Sequence, residues 1–192
     1  MSIPQQTRWA TLAVAGMTAF SAPAWADKVH LVTSLGEIVI ELDATKAPKS
    51  VANFEQYVKE GHYDGTVFHR VIPNFMIQGG GMLPTLKEKP VHKAIVLEAD
   101  NGLPNVKGAV SMARTGDPDS ATAQFFINTQ DNPFLDGANQ PPGKRGGYAV
   151  FGHVVSGMDV VEKIKMVETA TKGPYENVPV NAVIIKKATL EK

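Results

Sequence analysis

The sequence predicts a mainly β domain, a barrel or a sandwich with two amphipathic helices set among its strands. Three observations lead there. Nine short apolar or alternating runs, separated by Gly, Pro, Asn and Asp, recur along the chain after residue 27, the pattern of strands joined by turns. Two further segments instead place apolar residues three and four apart, the spacing of a helix face. No repeat of about 20–50 residues and no linker separates these segments, so one domain holds them all.

The first two runs, 29–33 and 37–42, flank Ser34-Leu35-Gly36, which predicts a hairpin. In the second run Ile38, Ile40 and Leu42 share one face, with Glu37 and Glu41 opposite. Residues 48–60 predict the first helix: Val51, Phe54 and Val58 align, Pro48 suits the first helical position and Gly61 ends the run. Further strands are expected at 67–71, 75–78, 95–98, 109–113, 125–128, 149–155 and 182–190. Residues 158–167 predict the second helix, with Met158, Val161, Ile164 and Val167 every three residues. The eleven residues from Gly137 through Gly147 include four Gly and two Pro, an irregular loop that is either a passive insertion or a contributor to partner choice.

Residues 1–26 read as an export signal. Arg8 is the one charge before Asp27, an apolar and small-residue run follows from Trp9 to Phe20, and Ala24-Trp25-Ala26 forms an A-x-A cleavage site. The apolar run is shorter than the roughly 20 residues of a membrane-spanning helix; the alternative is an uncleaved anchor or a buried helix. Cleavage after Ala26 leaves residues 27–192, a single domain long enough to bury one core. A bacterial periplasm suits such a signal, and no membrane association is expected after cleavage.

Charge and composition exclude several classes. Nineteen Lys plus Arg balance 19 Asp plus Glu, which argues against a nucleic-acid or anionic-membrane binder. With no cysteine, disulfide scaffolds, thiolate metal sites and cysteine nucleophiles fall away. The histidines His30, His62, His69, His92 and His153 show no HxH or HExxH spacing, so no metal is expected. No serine sits in GxSxG, and Gly79-Gly80-Gly81 lacks the Lys-Ser/Thr of a phosphate loop. That glycine run reads as a strand end with close backbone approach.

The densest feature runs from Phe68 to Gly80. Alternation puts Arg70 on the same face as Phe68, in a strand otherwise rich in apolar residues. A cation there is costly without partners, and the Gln78 amide oxygen is a candidate. Ser111-Met112-Ala113-Arg114-Thr115 and Gln124-Phe125-Phe126 supply a second strand pair with apolar and amide groups.

These blocks carry a resemblance. FHRVIPNFMIQGG, GAVSMAR, AQFFINT, NPFLDG and YAVFGHV stand in the order and spacing of the cyclophilins. The chain resembles these peptidyl-prolyl cis-trans isomerases, in particular their periplasmic bacterial branch, from Val29 to about Leu190. The resemblance implies an eight-stranded antiparallel closed β-barrel capped by two α-helices, so one of the nine runs must be loop or fuse with a neighbour. It implies catalysis by Arg70 with Gln78, and a groove lined by Phe75, Met76, Ala113, Arg114, Gln124, Phe126, Phe134, Leu135 and Tyr148. It further implies no cofactor, a monomer, and proline-containing peptides or folding exported proteins as partners. Three matched positions depart from the eukaryotic pattern: Phe134 replaces tryptophan, Tyr148 histidine and Arg114 asparagine. The family's cyclosporin site uses the tryptophan indole N–H, so weak cyclosporin binding is expected. At the asparagine position the family's contact is made by backbone, which Arg114 retains. A rival reading from another class is a chaperone or binding module that grips proline segments with little turnover.

Overall fold

The computed structural model describes residues 27–192; the expected signal segment, 1–26, lies outside the described residues. The chain runs β1 (Lys28–Thr33), β2 (Gly36–Leu42), α1 (Pro48–Lys59), β3 (Val67–Ile72), β4 (Met76–Met82), β5 (Ala109–Met112) and β6 (Phe125–Asn128). It continues with β7 (Val150–Ser156), α2 (Met158–Lys165), β8 (Thr169–Lys172), β9 (Tyr175–Pro179) and β10 (Ile185–Glu191). Eight strands form one antiparallel sheet in the order β10-β1-β2-β7-β5-β6-β4-β3, and β8 and β9 pair separately as a hairpin.

The sheet curls until its two edges approach, but they meet at one end only. Val67 bridges Ile184, Phe68 N–H donates to Val183 O (3.0 Å) and Ile185 N–H to Thr66 O (2.8 Å). No ladder joins β3 to β10 along their length, and β9 packs against β3. The expected closed barrel is thus a half-barrel with an incomplete seam.

The two helices form where the apolar spacing places them. Helix α1 begins at Pro48, which gives up no needed N–H there, and buries Val51, Phe54, Tyr57 and Val58. No side chain of the preceding residue caps it. Glu98 does so from a distance, accepting from Lys49 N–H (3.0 Å), Ser50 N–H (2.8 Å) and Ser50 Oγ (2.7 Å). This corrects the strand expected at 95–98. Ile95 makes a single bridge to Ala121, Leu97 N–H donates to Asp119 Oδ1 (2.9 Å), and Glu98 serves the helix. Side chains from elsewhere take the hydrogen bonds a strand would have offered. Helix α2 buries Val160, Val161 and Ile164 and ends two residues before the expected Val167, leaving Met166 71% exposed.

Aromatic side chains fill the interior. Phe54, Tyr63, Phe68, Phe125 and Phe151 are each fully buried, and Phe54 and Tyr63 meet Phe125 edge-on at 5.4 and 5.5 Å between centroids. Full burial of such a side chain stabilises by about 1.5–3 kcal/mol. The glycine run expected to allow close approach does so at Gly80, whose φ is +85°; a Cβ there would lie 2.8 Å from Tyr63 Cε1.

Candidate active site

Strands β4 and β6 alternate between two clusters of side chains. Ile77, Phe125 and Ile127 join the main core, while Met76 and Phe126 belong to a separate apolar cluster with Leu135. Ile72, Phe75, Ala113 and Tyr148 pack partly buried against that second cluster. Pairing sets Gln78 opposite Phe126 and Arg70 opposite Gln78, so β3, β4 and β6 present Arg70, Gln78 and Phe126 in a row.

Arg70 reaches this row because β3 is irregular. The register slips between Phe68 and Arg70: Phe68 pairs with Gly79 and Arg70 with Gln78, leaving His69 as the extra residue. A bulge of this kind re-aims the side chains that follow it. Phe68 and Val71 both enter the core, and Arg70 lies on the other side. The expected shared face of Phe68 and Arg70 is therefore corrected: strict alternation fails by one inserted residue. His69 itself is buried, its Nδ1 has no partner among the described residues, and burial lowers its pKa to about 4.

Around Arg70 the structure builds an open cleft of about 200 Å³. Phe75, Met76, Phe126 and Leu135 give it an apolar floor; Arg70, Gln78 and Arg114 supply its polar groups, with Ala113 and Tyr148 completing the lining. Arg70 Nη1 makes a long contact of 3.4 Å to Gln78 Oε1, and Gln78 Nε2 donates to Gln124 Oε1 at 2.9 Å. The Arg70 guanidinium also stands 6.0 Å from the Phe75 ring centroid. Among the described residues no carboxylate lines the cleft. Arg70 thus faces it as a half-buried cation steadied by amides and a ring face.

Nine of the eleven expected site residues line this cleft. Gln124 stands one layer behind, reaching the cleft through Gln78 and opening on a smaller adjoining cavity. Gly81 makes room for it, since a Cβ at that position would lie 2.5 Å from Gln124 Cγ. Phe134 sits at the rim, 61% exposed, with its ring stacked on Phe75 at 5.7 Å. Phe126 meets Tyr148 edge-on at 5.5 Å, and the Arg114 guanidinium lies over the Tyr148 ring at 4.6 Å.

A supporting set escaped the sequence reading. Asn132 Nδ2 donates to Phe75 O (2.9 Å) and Asn128 Oδ1 (2.8 Å), tying the loop before Leu135 to the end of β6. Asp136 Oδ1 accepts from Asn105 N–H (2.7 Å) and Asn105 Nδ2 (3.0 Å), while Asn105 Oδ1 accepts from Ser111 Oγ (2.7 Å). Asn105, Asn128 and Asn132 are fully buried or nearly so, and such groups are kept only when paired. Their signal was the Asn and Asp bracketing Pro133, Phe134 and Leu135 in the NPFLDG block.

Comparison with known proteins agrees with this geometry. Residues 28–190 match the family model described as cyclophilin type peptidyl-prolyl cis-trans isomerase/CLD. Peptidyl-prolyl cis-trans isomerase A of Dickeya dadantii (strain 3937) is 52% identical over 188 residues, covering 95% of this chain and 96% of that protein. Peptidyl-prolyl cis-trans isomerase B of Escherichia coli (strain K12) is 51% identical over 158 residues, 82% of this chain and 96% of that one. Among solved structures, a cyclophilin type isomerase from Cryptosporidium parvum superposes with a TM-score of 0.74 at 27% identity, covering 88% of this chain and 99% of that one. A half-barrel of this strand order, a cleft that sets Arg70 over an apolar floor, and a family match along nearly the whole described chain lead to one assignment: the protein belongs to the cyclophilin-type peptidyl-prolyl cis-trans isomerases.

Proposed function

We propose that this chain accelerates cis–trans rotation of X–Pro bonds in exported proteins as they fold in the periplasm, with Arg70 as the catalytic residue. One observation carries the reading: the half-buried Arg70 guanidinium, with no carboxylate among the described lining residues, stands over a floor of Phe75, Met76, Phe126 and Leu135 in a cleft sized for a small ring. The planar X–Pro amide must cross a barrier of roughly 18–20 kcal/mol. Removing about 7 kcal/mol would speed the exchange about 10⁵-fold. No bond breaks and no proton need leave, so the site requires neither paired carboxylates nor a nucleophile.

Two effects act together. Twisting the amide localises a lone pair on the proline nitrogen, and a hydrogen bond from Arg70 to that nitrogen forms fully only in the twisted state. That is binding of the transition state in preference to the ground state. Phe75, Met76, Phe126 and Leu135 hold the proline ring, while Gln78 and Gln124 keep the guanidinium from turning away. The polar planar amide also loses hydration on entering the cleft, which raises its ground state. The periplasmic setting rests on residues 1–26, whose charge, apolar run and A-x-A site fit an exported precursor.

Exchange NMR on a proline peptide, free of any coupled protease, tests the activity. Catalytic amounts of protein are expected to transfer magnetisation between cis and trans signals. Binding shifts without accelerated exchange would support the rival reading of a proline-gripping chaperone.

A further inference from the structure

Beside the cleft lies a second cavity of about 130 Å³ that shares Gln78, Ala113 and Arg114 with it. Thr115, Ser120, Thr122 and Gln124 complete its lining, which holds none of the aromatic, Met or Leu side chains that floor the first. Arg114 is the one charged side chain there, and it stands on the divide between the two.

The Arg114 guanidinium is held in a fixed plane. It lies over Tyr148 at 4.6 Å, its Nε donates to Gly147 O at 2.9 Å, and its Nη1 donates to Thr115 O at 2.8 Å. Among the described residues it has no carboxylate partner, and its Nη2 donates to nothing. The acids of the neighbouring turn are engaged elsewhere. Both Asp119 oxygens take Arg145, at 2.9 and 2.8 Å, and one of them also takes Leu97 N–H; Asp117 Oδ1 accepts Asp119 N–H. A cation oriented by two carbonyls and a ring, with a donor edge left open, is arranged for an incoming anion.

Resting on the proposed isomerase reading, we infer that Arg114 is a specificity-determining residue that selects substrates with an acidic side chain within two residues of the proline. With the ring seated on Phe126 and Leu135, the next residues of an extended chain advance about 3.3–3.6 Å each. That step carries them past Gln78 and Arg114 into the polar cavity. A Glu or Asp there meets Nη2 with no acidic competitor in the lining; a Lys meets a like charge.

Exchange NMR on a peptide series tests this, with Glu, Gln and Lys placed in turn at the two residues before and after one proline. At one position the Glu peptide is expected to exceed the Gln peptide in kcat/KM by about fivefold, through KM, with Lys below Gln. The ratio should fall to within about twofold in roughly 0.5 M salt, where charges are screened beyond a few ångströms. It should fall likewise in Arg114→Gln and be partly retained in Arg114→Lys. The inference is overturned if no position gives a Glu-to-Gln ratio above about twofold, or if the ratio survives salt. A ratio persisting in folded Arg114→Gln also overturns it; the salt series decides alone if that variant does not fold. Should no peptide be accelerated at all, the isomerase reading fails by itself, and peptide Kd values from shift titration still decide the acidic preference.

Discussion

At the scale of single residues, the proposed mechanism rests its chemistry on Arg70, with Gln78 and Gln124 holding the guanidinium. Replacing Arg70 with Ala removes the donor but no core contact, since the side chain lies outside the main apolar cluster. The expected outcome is a loss of at least tenfold in kcat/KM for a proline peptide, about 1.4 kcal/mol of transition-state binding, with a nearly unchanged melting temperature. Paired kinetic and thermal measurements check this. The reaction should also be flat between about pH 6 and 8. His69, the titratable neighbour of Arg70, is held to about 4 by burial and stays neutral across that range. A bell-shaped kcat/KM profile there would reveal an acid–base group absent from this account. The residues by themselves pointed to Arg70 and Gln78, a cation in an apolar strand with an amide as candidate partner, whereas most of the cleft lining was expected only from the resemblance to the cyclophilins. The orientation of Arg70 was not legible in the sequence. Simple alternation cannot foresee the extra residue at His69, which turns Arg70 from the Phe68 face to the cleft.

At the scale of elements, strong periodicity was readable and borrowed hydrogen bonding was not. Both helices and eight of the nine expected strands form, because their apolar spacing matches burial on one side. The segment 95–98 has the same composition but spends Glu98 on capping α1 and leaves Leu97 N–H to Asp119, contacts set by residues far along the chain. The β8–β9 hairpin went unseen for the opposite reason. Its first strand, TATK, is mostly exposed, its second, YENVP, buries only Val178 and Pro179, and neither offers apolar alternation. The glycine-rich loop between Gly137 and Gly147 is tied down by the Arg145–Asp119 pair. The Arg145 guanidinium, helped by Leu97 N–H, lowers the Asp119 pKa to about 2, so the clamp persists well into acid. Asp119→Asn is expected to speed proteolytic nicking of this loop several-fold at neutral pH while leaving the thermal midpoint nearly unchanged. Timed digestion with mapping of the cut sites reads the result; equal nicking in both proteins would show the loop is held by other contacts.

At the scale of the whole molecule, stability depends on burying histidine as well as aromatic rings. In the unfolded chain His69 titrates near 6.5, but its folded value is about 4. Between those values the unfolded state binds a proton that the native state refuses. Stability is therefore expected to fall as pH drops from about 6.5 to 4, by up to about 3 kcal/mol, and to level off below. His62, lowered chiefly by burial, acts in the same direction, while His30, raised by Glu191 and Glu37, acts in the opposite one. Denaturant titrations of the native protein and of His69→Asn at pH 7 and pH 4 would separate the His69 contribution, since the variant should lose much less between the two. The half-barrel as a whole exists, on this account, to hold one guanidinium against one proline nitrogen. A crystal structure with a bound proline peptide tests that most directly. The ring is predicted on Phe126 and Leu135, with an Arg70 nitrogen within about 3.2 Å of the imide nitrogen. A ring seated there with the Arg70 side chain turned away into solvent would contradict it.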